Sequence, residues 1–173
     1  MKRAVLSRNE LRFPKTIIEP IRHMVESKLV DATFEEVLAQ LDITMEEYDS
    51  STFSLSANEY LALHRSLKHH SPKKIRMKEW LSYYSATSAG LAGMAVLSAH
   101  TIRDALSIPV HYMPLYVPAL KVELIISKHT ARLSLDRVAD LQELNRFLIE
   151  AVTGVFSIIA DQVVSIHISR TIH

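Results

Sequence analysis

The stretch Leu120-Lys121-Val122-Glu123-Leu124-Ile125-Ile126 decides the fold class, because here the hydrophobic residues change from helical spacing to alternation. A second alternating run covers residues 131–135, just after Lys128 and His129. Alternation with β-branched residues is typical of half-buried strands, and two such runs separated by a short link predict a hairpin. The link holds no Asn-Gly pair, so the sequence leaves the type of turn open.

Downstream of this hairpin the sequence predicts one long helix and then a third strand. We expect Asp140 to cap the helix, whose apolar residues fall on one stripe. The stripe consists of Leu141, Leu144, Leu148, Val152, Val155, Ile159 and Val163. Residues 164–168 alternate again, which predicts a strand. A three-stranded sheet that ends there has exposed edges, so we expect a covering element that the chain lacks or a partner supplies.

Upstream of the hairpin, capping-box patterns predict where helices begin. In each pattern a hydroxyl residue precedes a carboxylate by three positions, and the two side chains satisfy each other's backbone N–H groups. The pairs are Thr33 and Glu36, Thr44 and Glu47, Ser56 and Glu59, and Thr101 and Asp104. An earlier helix is predicted over residues 17–29, with Pro20 in its first turn. Two more are predicted over residues 75–84 and 91–99, and a last one over residues 101–116, bent or interrupted at Pro109 and Pro114.

Together these elements predict an α+β domain, with N-terminal helices followed by a β-β-α-β unit whose small sheet packs on the long helix. The chain has 173 residues, of which 48% are hydrophobic and 23% charged, so it is not disordered, collagen-like or a polytopic membrane protein. The absence of cysteine excludes disulfides and thiolate chemistry. A net charge of +1 argues against a chain that binds nucleic acid by itself. With no signal peptide, we expect a cytoplasmic protein that does not bind membranes.

Nine histidines raise the question of a metal site, which their spacing does not favour. His64, His69 and His70 spread around a helix, and we interpret them as part of a solvated basic helix end. His100 and His111 are either ligands or proton donors or, more simply, partly buried rings that bond to backbone carbonyls. The sequence has no zinc motif, phosphate-binding glycine loop, nucleophile elbow or paired acids, so we predict no metal, cofactor or catalytic residue.

Aromatic and methionine residues cluster around the transition from helices to strands. The simpler interpretation places them in the hydrophobic core. The sharper one is an apolar pocket with a few hydroxyl groups, which is the usual composition of a small-molecule site. The candidate effector-binding residues are Trp80, Tyr84, Met94, His100, Tyr112, Tyr116 and Phe156.

One stretch of the chain resembles a known family. Ser88-Ala-Gly-Leu-Ala-Gly-Met-Ala-Val-Leu-Ser-Ala-His-Thr-Ile-Arg-Asp-Ala-Leu-Ser107, followed by Tyr112-Met-Pro-Leu115, is similar to the N-terminal effector domain of one branch of the AraC-type (AraC/XylS) transcriptional regulators. Residues 33–43, 54–67 and 164–168 match as well, so the resemblance covers about residues 33–170. Two departures are Asp42, where the family commonly has glycine, and Ile102, where it commonly has leucine.

The resemblance implies that residues 1–173 form a single regulatory domain that binds a small-molecule effector, forms a homodimer and biases an attached DNA-reading half. The dimer contact would use an apolar face of residues 91–102 or 141–163. DNA would be contacted only through a C-terminal helix-turn-helix domain, which this chain lacks, so we expect it to be a fragment. Arginine or lysine in the pocket would suit a carboxylated effector. The alternative is a stand-alone small-molecule-binding or adaptor protein of the same fold, with an enzyme third.

Overall fold

Eight helices and four short strands make up the parts of the chain that the computed structural model describes, which are residue 8 and residues 10–71, 75–84, 90–127 and 130–171. In chain order they are β1 (Arg12–Pro14), α1 (Lys15–Glu26), α2 (Phe34–Ala39), α3 (Met45–Asp49), β2 (Ser54–Ser56), α4 (Ala57–His70), α5 (Met77–Leu81), α6 (Gly90–Ser98), α7 (Ile102–Tyr116), β3 (Leu120–Ile126), β4 (Ala131–Arg137) and α8 (Leu144–Thr171). Helices therefore dominate, and the predicted α+β class is confirmed.

The strands form two separate antiparallel pairs rather than one sheet. β3 pairs with β4, with Ile126 opposite Ala131, so the predicted hairpin strands are confirmed. Leu120 and Val122 of β3 are buried, as alternation requires. The hairpin link at residues 128–129 lies outside the described residues. The other pair, β1 with β2, was not predicted from the sequence.

The predicted third strand is wrong, because residues 164–168 belong to α8. Their β-branched residues favour a strand only weakly, and continuation of an already formed helix overrides that preference. Because residues 164–168 form no strand, the sheet edge expected there does not exist. α8 also begins later than predicted, at Leu144, and Asp140 does not cap it directly. The Asp140 carboxylate instead accepts hydrogen bonds from the Gln142 N–H at 3.0 Å and the Asn145 amide at 2.5 Å.

Three of the four predicted capping boxes form completely, at Thr33, Thr44 and Ser56. At the fourth, the Thr101 hydroxyl accepts from the Asp104 N–H at 3.0 Å and donates to the shorter Asp104 carboxylate. The position predicted for Pro20 is wrong, because α1 begins at Lys15 and Pro20 lies in its second turn. The helix predicted over residues 75–84 is shorter (α5), and α7 continues through both of its prolines.

Most buried apolar side chains belong to one main hydrophobic cluster, which joins α1–α5, both strand pairs, the end of α7 and the first half of α8. Tyr48 of α3 is completely buried in it. Its ring lies 4.9 Å from that of Phe34 and 5.1 Å from that of Phe53, and its hydroxyl donates to Glu19 at 2.8 Å. Burial and the nearby Glu19 carboxylate raise the pKa of Tyr48, so this hydroxyl stays protonated.

A second, smaller hydrophobic cluster lies where α6, α7 and the later part of α8 meet. Its buried members are Val96, Ala105, Ile159 and Val163. Because α8 runs through both clusters, it connects them along one side. The core is thus divided into two parts.

Helix α2 ends in a Schellman motif that requires a left-handed residue at Asp42. The Ile43 N–H donates to the Leu38 carbonyl at 3.2 Å, and the Asp42 N–H donates to the Ala39 carbonyl at 3.1 Å. Asp42 has a φ of 56°, in the region where glycine is the usual residue of this motif. The departure from the family pattern at Asp42 therefore falls at a position where glycine suits the backbone better.

We expect Asp42→Gly to raise the free energy of unfolding by about 0.5 kcal/mol, because glycine carries no Cβ penalty at positive φ. Ala39→Gly, an exposed change in the same helix, should instead lower it by about 0.5–1 kcal/mol. Urea unfolding monitored by circular dichroism measures both values. Equal destabilisation by the two glycines would contradict the prediction.

Candidate functional site

An apolar cavity of about 110 Å³ separates the main cluster from the second cluster. Helices α6, α7 and α8 supply most of its wall, and residues of α1, α4 and α5 close it on the side of the main cluster. The lining residues are Thr16, Ile17, Tyr60, Trp80, Tyr84, Ala92, Gly93, Val96, Pro109, Tyr112, Met113, Tyr116, Val117, Leu148, Ala151, Val152, Val155, Ile158 and Ile159. A concave, mainly apolar space of this kind is the usual form of a small-molecule site.

Four of the seven candidate residues from the sequence line this cavity together: Trp80, Tyr84, Tyr112 and Tyr116. Trp80 is buried, and its ring lies 4.4 Å from that of Tyr84 and 4.9 Å from that of Phe147 in α8. Trp80 comes from α5 and Tyr84 from the residues after it, whereas Tyr112 and Tyr116 come from the last turns of α7. An aromatic wall is therefore assembled from two distant parts of the sequence.

The other three candidates lie elsewhere. Met94 projects outward from α6 and is 60% exposed, because the neighbouring Ala92 and Gly93 occupy the inner face of that helix. His100 is exposed in the link between α6 and α7, and Phe156 is buried in the main cluster. These three residues are absent from the lining of the cavity.

Much of the cavity wall consists of residues that the sequence did not identify as candidate site residues. Thr16 and Ile17 come from α1 and Tyr60 from α4, both far from the sequence region that suggested a pocket. The face of α8 from Leu148 to Ile159 was recognised only as an apolar stripe. Core and cavity wall share that pattern, because both bury apolar side chains at helical spacing. Ala92 and Gly93, two small residues of α6, also line the cavity.

The chemistry of this lining is almost entirely hydrocarbon and aromatic. No charged side chain lies among the described residues that line the cavity, so the lysine or arginine expected for a carboxylated effector is not found there. Burial raises the pKa of Tyr60, Tyr84 and Tyr116, which keeps their hydroxyls neutral. The Tyr84 hydroxyl donates to the Ile17 carbonyl at 3.4 Å. This arrangement suits non-covalent binding.

His64 of α4 lies next to the site, with its ring 4.7 Å from that of Tyr60 and 4.4 Å from that of Phe147. Its Nε2 atom is buried and has no hydrogen-bond partner among the described residues. Burial lowers the pKa of His64 to about 4, so the ring is neutral at pH 7. The predicted solvated helix end is therefore wrong for His64, although His69 is exposed.

His100 and His111 are both exposed, so the expectation that their rings are partly buried is wrong. Over the residues that the structure describes, no three histidine, aspartate or glutamate side chains gather closely enough to hold a metal ion. None of the described helices combines the length and apolar character that a bilayer crossing requires.

Comparison with known proteins identifies the family. The family model described as the arabinose-binding domain of AraC transcription regulators, N-terminal, matches residues 32–169. Neither a curated protein nor a solved structure matches the chain. The match covers most of the chain, and the family is a class of ligand-binding regulatory domains rather than of enzymes. The chain therefore belongs to the family of N-terminal arabinose-binding domains of AraC transcription regulators.

Proposed function

We propose that this domain senses a small-molecule effector in the cavity between α6, α7 and α8, and that the bound state biases an attached DNA-binding half in the cytoplasm. The observation that carries the proposal is the cavity itself, whose residues from Trp80 onward all fall within the matched family region. A ligand there contacts helices on both sides of the divided core. It therefore stabilises the arrangement in which α6 and α7 pack against α8 more than any other arrangement.

We also propose that the domain forms a homodimer through the outer face of α6 and α7. Leu91, Met94 and Leu115 are 90%, 60% and 68% exposed on these two helices, which pack against each other. Exposed apolar side chains concentrated on one region typically mark an interaction surface. The same helices line the cavity, so ligand binding and subunit contact would act on one structural unit.

The dimer contact is tested by Leu91→Lys combined with Leu115→Lys. We expect the wild-type chain to sediment as a dimer at micromolar concentration and the double variant as a monomer. In a dimer of the variant, the lysine ammonium groups of each subunit would be buried in the interface without an opposite charge. Ala39→Lys, an exposed substitution in α2, which packs against α1 and α4, serves as the control. A wild-type monomer, or a dimer that survives both lysines, would contradict this part of the proposal.

Ligand binding in the cavity is tested by a thermal-shift screen of amino acids, sugars, fatty acids and small aromatic compounds. An effector present at 100 times its dissociation constant raises the free energy of unfolding by about 2.7 kcal/mol. Val155→Phe, which adds a ring to the cavity wall, should abolish the stabilisation. Ser157→Phe, which adds the same ring on the exposed face of α8, should preserve it.

Two results would refute the proposed site. One is a screen in which no compound stabilises the wild-type chain. The other is a compound that stabilises the wild type and Val155→Phe equally. In the full-length regulator, the compound that passes this test should change expression from the target promoter, and Val155→Phe should remove that response.

A further inference from the structure

The cavity interrupts a hydrophobic core that is otherwise continuous along α8. Its wall includes Trp80 and Met113 of the main cluster and Val96 and Ile159 of the second cluster. Apolar side chains that face a void lose the dispersion contacts that a close-packed core provides. A ligand that restores these contacts must itself present an apolar surface in all directions.

The lining opposes charged and polyhydroxylated ligands. A carboxylate or ammonium group would enter without an opposite charge, since the described lining residues include none. Arabinose, for which the family is described, carries a hydroxyl or ring oxygen on every carbon, and each would need a partner. The Tyr84 hydroxyl already donates to the Ile17 carbonyl, whereas the buried Trp80 Nε1 atom has no hydrogen-bond partner among the described residues and offers one donor. The surface of the lining is almost entirely apolar, so most of the oxygen atoms of a sugar would face hydrocarbon without a hydrogen-bond partner.

The size and the aromatic wall narrow the class of ligand further. The cavity volume is about 110 Å³, somewhat less than the engineered apolar cavities of about 150 Å³ that take up benzene. Trp80, Tyr84, Tyr112 and Tyr116 offer ring faces and edges, which favour stacked or edge-on contacts with another ring. We propose that the domain binds a compact, uncharged aromatic molecule of one ring that joins the two hydrophobic clusters. This inference rests on the proposed function, because it assigns a ligand class to the same cavity.

The experiment compares toluene, benzene, benzoate and L-arabinose by isothermal titration and thermal shift on the wild-type chain. Toluene and benzoate share one ring and differ in charge, so this pair isolates the charge requirement. We expect toluene and benzene to bind at least tenfold more tightly than benzoate or arabinose. Val155→Phe should weaken both by at least tenfold, and Ser157→Phe should leave their affinities unchanged.

Ile158→Phe is a second variant that fills the cavity, for the case in which Val155→Phe does not fold as judged by circular dichroism. If arabinose or benzoate binds more tightly than toluene, and Val155→Phe and Ile158→Phe abolish that binding, the proposed ligand class is overturned. The proposed function would then remain intact. Aromatic binding that both variants leave unchanged would overturn this inference and the proposed site together. Absence of binding by toluene and benzene would overturn the inference alone, provided that the broad screen finds another ligand.

Discussion

Replacing Tyr48 with alanine is expected to lower the free energy of unfolding by about 3–5 kcal/mol. The ring is fully buried between those of Phe34 and Phe53, and α3 has only five residues, so the helix has little else to hold it in place. Lys15 adds a cation–π contact at 4.3 Å from the ring centroid. Urea unfolding measured by intrinsic fluorescence gives the difference.

Tyr48→Phe is the matched control, because it keeps the ring and removes only the hydrogen bond to Glu19 at 2.8 Å. Its cost should be about 1 kcal/mol, since Glu19 is only partly buried and water can replace the lost donor. The prediction fails if the alanine and phenylalanine variants lose the same stability, because ring packing would then contribute little.

Acid is expected to destabilise the domain through His64. Burial lowers the pKa of this ring to about 4 in the folded chain, whereas in the unfolded chain it is about 6.5. Well above pH 6.5 the ring is neutral in both states, so its contribution to the free energy of unfolding is constant. Between pH 6.5 and 4 the unfolded chain takes up the proton first, so the free energy of unfolding falls by up to about 3 kcal/mol.

His64→Leu should remove this part of the acid sensitivity, because leucine fills the space between Tyr60 and Phe147 and does not titrate. His69→Leu, an exposed histidine on the same helix, should retain it. Denaturant unfolding at pH 7.5 and pH 4.5 measures the difference for each variant. Equal acid losses in wild type and His64→Leu would show that His64 does not carry the effect.

Local signals allowed most of the fold to be predicted from the sequence. A capping box at Thr33, Thr44 or Ser56 depends only on residues three positions apart, so the sequence determines where those helices begin. The alternation in β3 and β4 is equally local, and both strands are where the pattern placed them.

Non-local contacts account for the errors. β1 and β2 have three residues each and are defined only by pairing with each other across about forty residues, which no local pattern reveals. The alternation at residues 164–168 is real, but it lies on a helix already stabilised by packing upstream. Short alternating runs fit both structures, and their surroundings decide between them.

The candidate site was only partly predictable for a related reason. Small or apolar residues occupy nearly every position of α6, so its sequence does not show that Ala92 and Gly93 turn inward while Met94 turns outward. Phe156 and Ile159 lie about one turn apart on α8, yet Phe156 packs in the core and Ile159 faces the cavity. The rotation of each helix about its axis, which is set by the helices packed against it, determines which side chains face the cavity.

The division of the core into a large and a four-residue cluster has a consequence for how the molecule opens. Cooperative units with few buried contacts open at lower free energy than the rest of a protein. Backbone amides of α6 and α7 should therefore exchange with deuterium faster than those of α1 and α4. A bound molecule would slow exchange mainly in α6 and α7, so its signal could travel as reduced conformational entropy, without a large displacement of any helix.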